Sequence, residues 1–117
     1  MAWIAFLSNK QSHLMSSELL EAHIEYLRKI WPTGVLTLCG PLADDTAIMV
    51  FNVDSEQQAK LLVDGDPFSE VNYYQNVRYV EFMDANPGNN FLFEEALRIM
   101  STSEYKSKID MLKLSRI

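Results

Sequence analysis

At 117 residues the chain has room for one domain with a real core, not for two. Sixteen acids against ten Lys plus Arg give a formal net charge of −6, which argues against nucleic acid as a partner. The charge is uneven: residues 1–85 carry twelve acids and five bases, whereas residues 86–117 carry four acids and five bases.

The lone cysteine, Cys39, has no partner for an internal disulfide, so the expected setting is reducing and cytoplasmic. The apolar run Ala2-Trp3-Ile4-Ala5-Phe6-Leu7 is too short for a signal core or a membrane span, and no membrane role is expected. It reads instead as a first strand over residues 2–8, apolar on both faces and therefore central.

Ser16 and Ser17 offer caps for a helix with Glu18 in its first turn. Leu20, Ile24, Leu27 and Trp31 recur at the helical period, with His23 and Ile30 on the same broad stripe, until Pro32 and Gly34 end the helix near Trp31. Residues 35–39 form a second strand, ended by Gly40-Pro41 and the solvated acidic turn at Asp44-Asp45. Residues 47–53 form a third, and the short connection implies an antiparallel hairpin.

Asp54 and Ser55 each precede a glutamine by three residues (Gln57, Gln58), the spacing of a capping box that opens a second helix burying Ala59, Leu62 and Val63. In Asp64-Gly65-Asp66-Pro67-Phe68, Asp66 is placed to cap a short helix with Pro67 at its first position. A last strand lies within residues 73–83. The order strand, helix, strand, strand, helix, strand is the split βαβ, ferredoxin-like pattern: an α+β fold with a four-stranded antiparallel sheet and both helices on one face.

Pro87-Gly88-Asn89-Asn90 marks a boundary between a 1–85 domain and a C-terminal helical extension over 86–117. The extension carries an apolar stripe at Phe93, Ala96, Leu97 and Met100, then a second helix from Ser101. It is expected to pack on the domain or on a partner subunit. Because strands 2–8 and 47–53 are apolar on both faces, the sheet face away from the helices needs a cover, either a second copy of the sheet or this extension.

The ordered set of His23, Tyr26 and Leu27, Gly34-Val35-Leu36, Gly40-Pro41 with acids after it, Ser55 and Ala59, and Asp64-Gly65-Asp66-Pro67-Phe68 resembles the YCII-related family across roughly residues 2–83. The resemblance implies a dimeric α/β-barrel, formed by a face-to-face homodimer, and a cleft in which His23 approaches Asp66. Gly40, Pro41 and Phe68 are the candidate ligand-contacting positions, Phe68 as a wall of the cleft. Members of this family and its superfamily act on chlorinated muconolactones and muconolactones, so a small organic acid or lactone is the implied ligand. Two departures stand out: Asp44-Asp45-Thr46-Ala47 lacks the family's glycine, and residues from about 86 onward lie beyond its usual end.

The chemistry open to such a pair is acid–base. Imidazole exchanges protons near neutral pH, and a carboxylate on one ring nitrogen fixes the tautomer and leaves the other facing the cleft. Such a base removes a proton next to a carbonyl, promoting loss of halide or a double-bond shift in a lactone. His23 can equally be a packed helix histidine, and Asp66 simply a cap. Phe68, Tyr73 and Tyr74 suit a core or interface as well as a pocket wall. Cys39 reads as an inert buried thiol outside the site. No metal-ligand spacing and no nucleotide loop occurs, so neither metal nor cofactor is expected. The rival to an enzyme is a non-catalytic metabolite-binding or protein-interaction module.

Overall fold

The computed structural model describes residues 2–100, which divide after Met83 into two units. In the first, β1 (Ala2–Lys10), α1 (Ser17–Ile30), β2 (Leu36–Pro41), β3 (Ala47–Phe51), α2 (Glu56–Asp64), α3 (Pro67–Glu70) and β4 (Tyr74–Phe82) follow one another. The strands form one antiparallel sheet in the order β2-β3-β1-β4, the ferredoxin-like arrangement, with β1 central.

Register decides which side chains meet. Ala5 faces Met49, Leu7 faces Ala47 and Trp3 faces Phe51, so the odd-numbered residues of β1 and β3 share a face. Ala5, Leu7, Met49 and Phe51 form the core there with Ile30 of α1 and Ala59 and Val63 of α2, so both helices cover this one face. The opposite face carries Ile4, Phe6, Ile48 and Val50, with the Arg78 guanidinium 4.7 Å from the Phe6 ring centroid.

The caps follow the sequence. Ser16 Oγ accepts from Leu19 N at α1, and Ser55 Oγ accepts from Gln58 N at α2. Gln58 Oε1 accepts from Asp54 N, one residue before the cap, and from the Ser55 hydroxyl, so the reciprocal bond to the Ser55 amide that completes a capping box is not made. Asp66 caps α3, with Pro67 behind it.

Two details depart from the sequence reading. α1 stops at Ile30, and Trp31 opens a 3-10 turn (Trp31–Thr33) where it is 56% exposed; Ile30 takes the core position instead. The turn closes through Gly34 at φ 81, a conformation that costs glycine little. Gly40-Pro41 does not end β2 but belongs to it, Gly40 facing Ile48 and Pro41 facing Ala47. β2 is an edge strand, where the missing proline N–H is tolerated, and its register slips between Leu36 and Leu38. In the Asp44-Asp45 turn, Asp44 accepts from the Thr46 hydroxyl and amide, which together hold its carboxyl below the usual range.

The second unit begins at Asp84. Asn86 and Asn89 cap one another reciprocally ahead of a 3-10 segment (Pro87–Leu92) and α4 (Phe93–Met100). The helix expected from Ser101 lies outside the described residues.

The joint between α2 and α3 is fastened twice. Ser69 Oγ donates to Val63 O at 2.6 Å, and Tyr26 Oη reaches from α1 to donate to Leu62 O at 2.6 Å. Tyr26 lies so close over Gly65 that a Cβ there would stand 2.9 Å from its hydroxyl oxygen. Gly65 itself has ordinary helical angles, so sterics alone demand glycine. Gly65→Ala is expected to lower stability by about 1–3 kcal/mol through this overlap. In a Tyr26→Phe background the clash is relieved and alanine's helix preference takes over, making the same change neutral or favourable. Urea unfolding of the four proteins in the cycle measures the coupling.

Candidate functional site

Asp66 is the one buried acid in the described chain, 3% exposed at the joint between α2 and α3. A carboxylate so placed needs hydrogen-bond donors to offset lost hydration. Its Oδ1 accepts from Phe68 N at 2.9 Å, the N-cap bond of α3. His23 Nδ1, from the middle of α1, lies 2.9 Å from Oδ1 and 2.8 Å from Oδ2. Because an ionised carboxylate only accepts, the contact requires a proton on Nδ1. In the neutral ring Nε2 then keeps its lone pair, and it has no hydrogen-bond partner among the described residues.

The ring is also fixed in its plane. Phe68 stacks on His23 with centroids 3.8 Å apart and planes within 6° of parallel. Tyr73 then packs on Phe68 at 4.8 Å, and Tyr74 meets Tyr73 edge-on at 5.0 Å. Phe68 thus serves the pair twice, through its amide to Asp66 and through its ring to His23.

These residues line a cavity of about 440 Å³ between α1, α3 and the ends of β1, β2 and β3. His23, Asp66, Phe68, Gly40 and Pro41 all contribute to its wall, so the structure brings the five sequence candidates together. Most of the remaining wall is apolar. Leu20, Ile24 and Leu27 border it, and the first two are 43% and 38% exposed. The α1 stripe that reads as core is in large part the lining of an open space.

The sequence reading missed other lining residues. Cys39 is half-buried and borders the cavity instead of standing apart from it. Burial, and secondarily the charge of Asp66, push its thiol up, so it remains protonated at neutral pH. Lys10 also lines the cavity, its Nζ 3.1 Å from Asp45 Oδ1. Unbroken strand alternation would put residue 10 on the face of Phe6 and Ser8, but Asn9 between them has φ 58. No group of three or more His, Cys, Asp or Glu side chains among the described residues is arranged to hold a metal ion.

The profile of the YCII-related domain matches residues 1–83. The chain belongs to the YCII-related family. No curated protein matches the sequence. Among solved structures, the YCII-related chain is similar to 5-chloro-2-hydroxyhydroquinone dehydrochlorinase from Burkholderia phenoliruptrix AC1100, in complex with 2,5-dihydroxybenzoquinone. The TM-score is 0.59 at 16% identity, over 71% of this chain and 94% of that one. At that identity the likeness is one of fold. No helix among the described residues of this YCII-related chain is long and apolar enough to cross a membrane.

The His23–Asp66 contact predicts a tautomer. With the ring neutral, nitrogen-15 NMR is expected to find the His23 proton on Nδ1 and the lone pair on Nε2. Asp66→Ser retains a good N-cap but is too short to reach the ring, so His23 is expected to lose that bias while α3 persists. An unchanged tautomer in the serine variant would falsify the carboxylate's role in setting it.

Proposed function

We propose that the cavity is the active site of a cofactor-free acid–base enzyme acting on a small oxygenated ring compound, with His23 as the proton-transferring group and Asp66 as its orienting partner. The observation that carries this reading is the geometry of the pair: His23 Nδ1 held by both oxygens of a buried carboxylate, in a cavity of about 440 Å³. Family membership and a fold shared with a dehydrochlorinase agree with it.

In an elimination, His23 Nε2 takes the proton from a carbon next to a carbonyl. The C–H electron pair becomes a carbon–carbon double bond, and halide departs with its own bonding pair. Asp66 stabilises the imidazolium that forms, and the proton later passes to water. In an isomerisation the same nitrogen returns the proton to a different carbon after the double bond has shifted. Neither route changes oxidation state overall or requires a second reactant. The apolar lining would strengthen electrostatic contacts with the bound ring.

The apolar wall of Leu20, Ile24 and Leu27 also suits a second reading, a module that binds a ring metabolite without transforming it. Chloride release from 5-chloro-2-hydroxyhydroquinone and double-bond migration in muconolactone separate the two. The enzyme reading expects His23→Gln, which keeps a donor for Asp66, to lower kcat by about 10²-fold or more with melting temperature little changed. Turnover retained in that variant excludes His23 as the base; binding without product favours the module.

We also propose that the protein is a cytoplasmic homodimer, with Ile4, Phe6, Ile48 and Val50 of one sheet against those of a second copy. The apolar sheet face away from α1 and α2 supports this reading, since a two-fold mate would bury the same surface on both copies. Ile48→Arg puts an uncompensated charge in the middle of that face, and sedimentation velocity is expected to find the variant monomeric. An unchanged sedimentation coefficient shared by the variant and a dimeric wild type would exclude this interface.

A further inference from the structure

We propose that Lys10 is the anion-recognising residue of the cavity: the ligand is an ionised ring compound, and its charged oxygen replaces Asp45 on the Lys10 ammonium, with the Tyr73 hydroxyl beside it. The inference rests on the cavity being the ligand site and specifies the charge of what enters it.

Lys10 is the one ammonium or guanidinium among the described residues of the cavity wall. Its side chain is 26% exposed, so most of the stem is covered while Nζ reaches Asp45. The Asp45 side chain, by contrast, is 84% exposed and belongs to a surface turn. An ion pair with so hydrated a partner is weak, and releasing Asp45 to water costs little. The hydrogen bond that Lys10 donates to Asp45 raises the Lys10 pKa above its ordinary value, and an anionic oxygen in the place of Asp45 would act in the same direction.

Tyr73 is an independent observation at the same place. The residue is 4% exposed and borders the cavity, and its amide and carbonyl are engaged by Phe68 O and Gln11 N. Its hydroxyl, however, has no hydrogen-bond partner among the described residues. Trp3 Nε1 is the one fully enclosed side-chain polar atom there without a partner, so the Tyr73 hydroxyl remains reachable by solvent. A buried tyrosine whose hydroxyl is left unpaired and open offers a donor to a guest. Tyr74, the cross-strand neighbour of Lys10, is kept protonated by burial, which raises its pKa, and is a second phenol at this end of the cavity.

The charge balance of the chain makes a local cation necessary for such a guest. The protein carries a formal charge of −6, and Asp66 stands in the same cavity wall. An anion entering there is repelled unless one cation meets it. His23 is committed to Asp66 through Nδ1, which leaves Lys10.

The test uses two rings, 2,5-dihydroxybenzoquinone, a vinylogous acid that is ionised at neutral pH, and uncharged hydroquinone kept under argon. Affinities are measured by titration calorimetry with the full chain. Lys10→Met is expected to weaken binding of the ionised ring by about tenfold to a hundredfold and to leave hydroquinone unchanged. Tyr73→Phe is expected to weaken the ionised ring by a few-fold.

Asp45→Asn is the decisive variant. It removes the competing anion, suits the left-handed backbone at that residue (φ 68), and is expected to tighten binding of the ionised ring alone. A merely structural lysine predicts no gain there. Unaltered preference for the ionised ring in both Lys10→Met and Asp45→Asn overturns the Lys10 assignment and leaves the His23 reading standing on its turnover assay. Failure of the ionised ring to bind wild type at millimolar concentration overturns the assignment as well, and the effect of His23→Gln on turnover then decides separately whether the cavity is catalytic.

Discussion

A carboxylate taken out of water has to be surrounded by donors, and the arrangement about Asp66 follows from that requirement. Pro67 starts α3, so that the Phe68 amide points back at Oδ1. α1 supplies His23 to both oxygens, and the Phe68 ring closes over the imidazole. The same few residues therefore terminate one helix, begin the next and orient a titratable ring. Such a joint cannot drift: Tyr26 leans on Gly65 from one side while Ser69 ties back to Val63. Rigidity of this kind suits the proton transfer proposed for His23, since misplacement by about 1 Å can cost 10²-fold in rate.

Much of this was legible in the chain. The periods of β1 and α1, the serine caps and the Asp66-Pro67 step each have a local physical cause, and local causes are written in sequence. The ferredoxin-like order followed from them, and the pairing of His23 with Asp66 followed from the family resemblance. Their contact spans 43 positions and exists only because β2 and β3 intervene as a hairpin in the same sheet.

What stayed hidden was of a different kind. A cavity is an absence of atoms, and Leu20 and Ile24 have the same spacing whether they meet a neighbour or an empty space. Lys10 was hidden by a single backbone angle at Asn9, which no propensity rule predicts with confidence for one residue in a strand. Cys39 was set aside because β2 reads as a buried strand, whereas it is the sheet's edge and its end opens on the cavity. Phe68 was expected to meet a ligand and does border the cavity, but its closest ring contact is His23. Stacking of that sort depends on two helices meeting and leaves no trace in either one alone.

The slipped register and terminal proline of β2 bear on how copies of the chain can meet. A regular edge strand displays a ladder of unpaired amides that a neighbour can extend. Here the ladder is out of step between Leu36 and Leu38 and lacks a donor at Pro41. A foreign strand laid along this border would find matching partners for only a few residues before losing phase. At this border the sheet therefore resists lengthening into a continuous ribbon, the geometry by which fibrils grow.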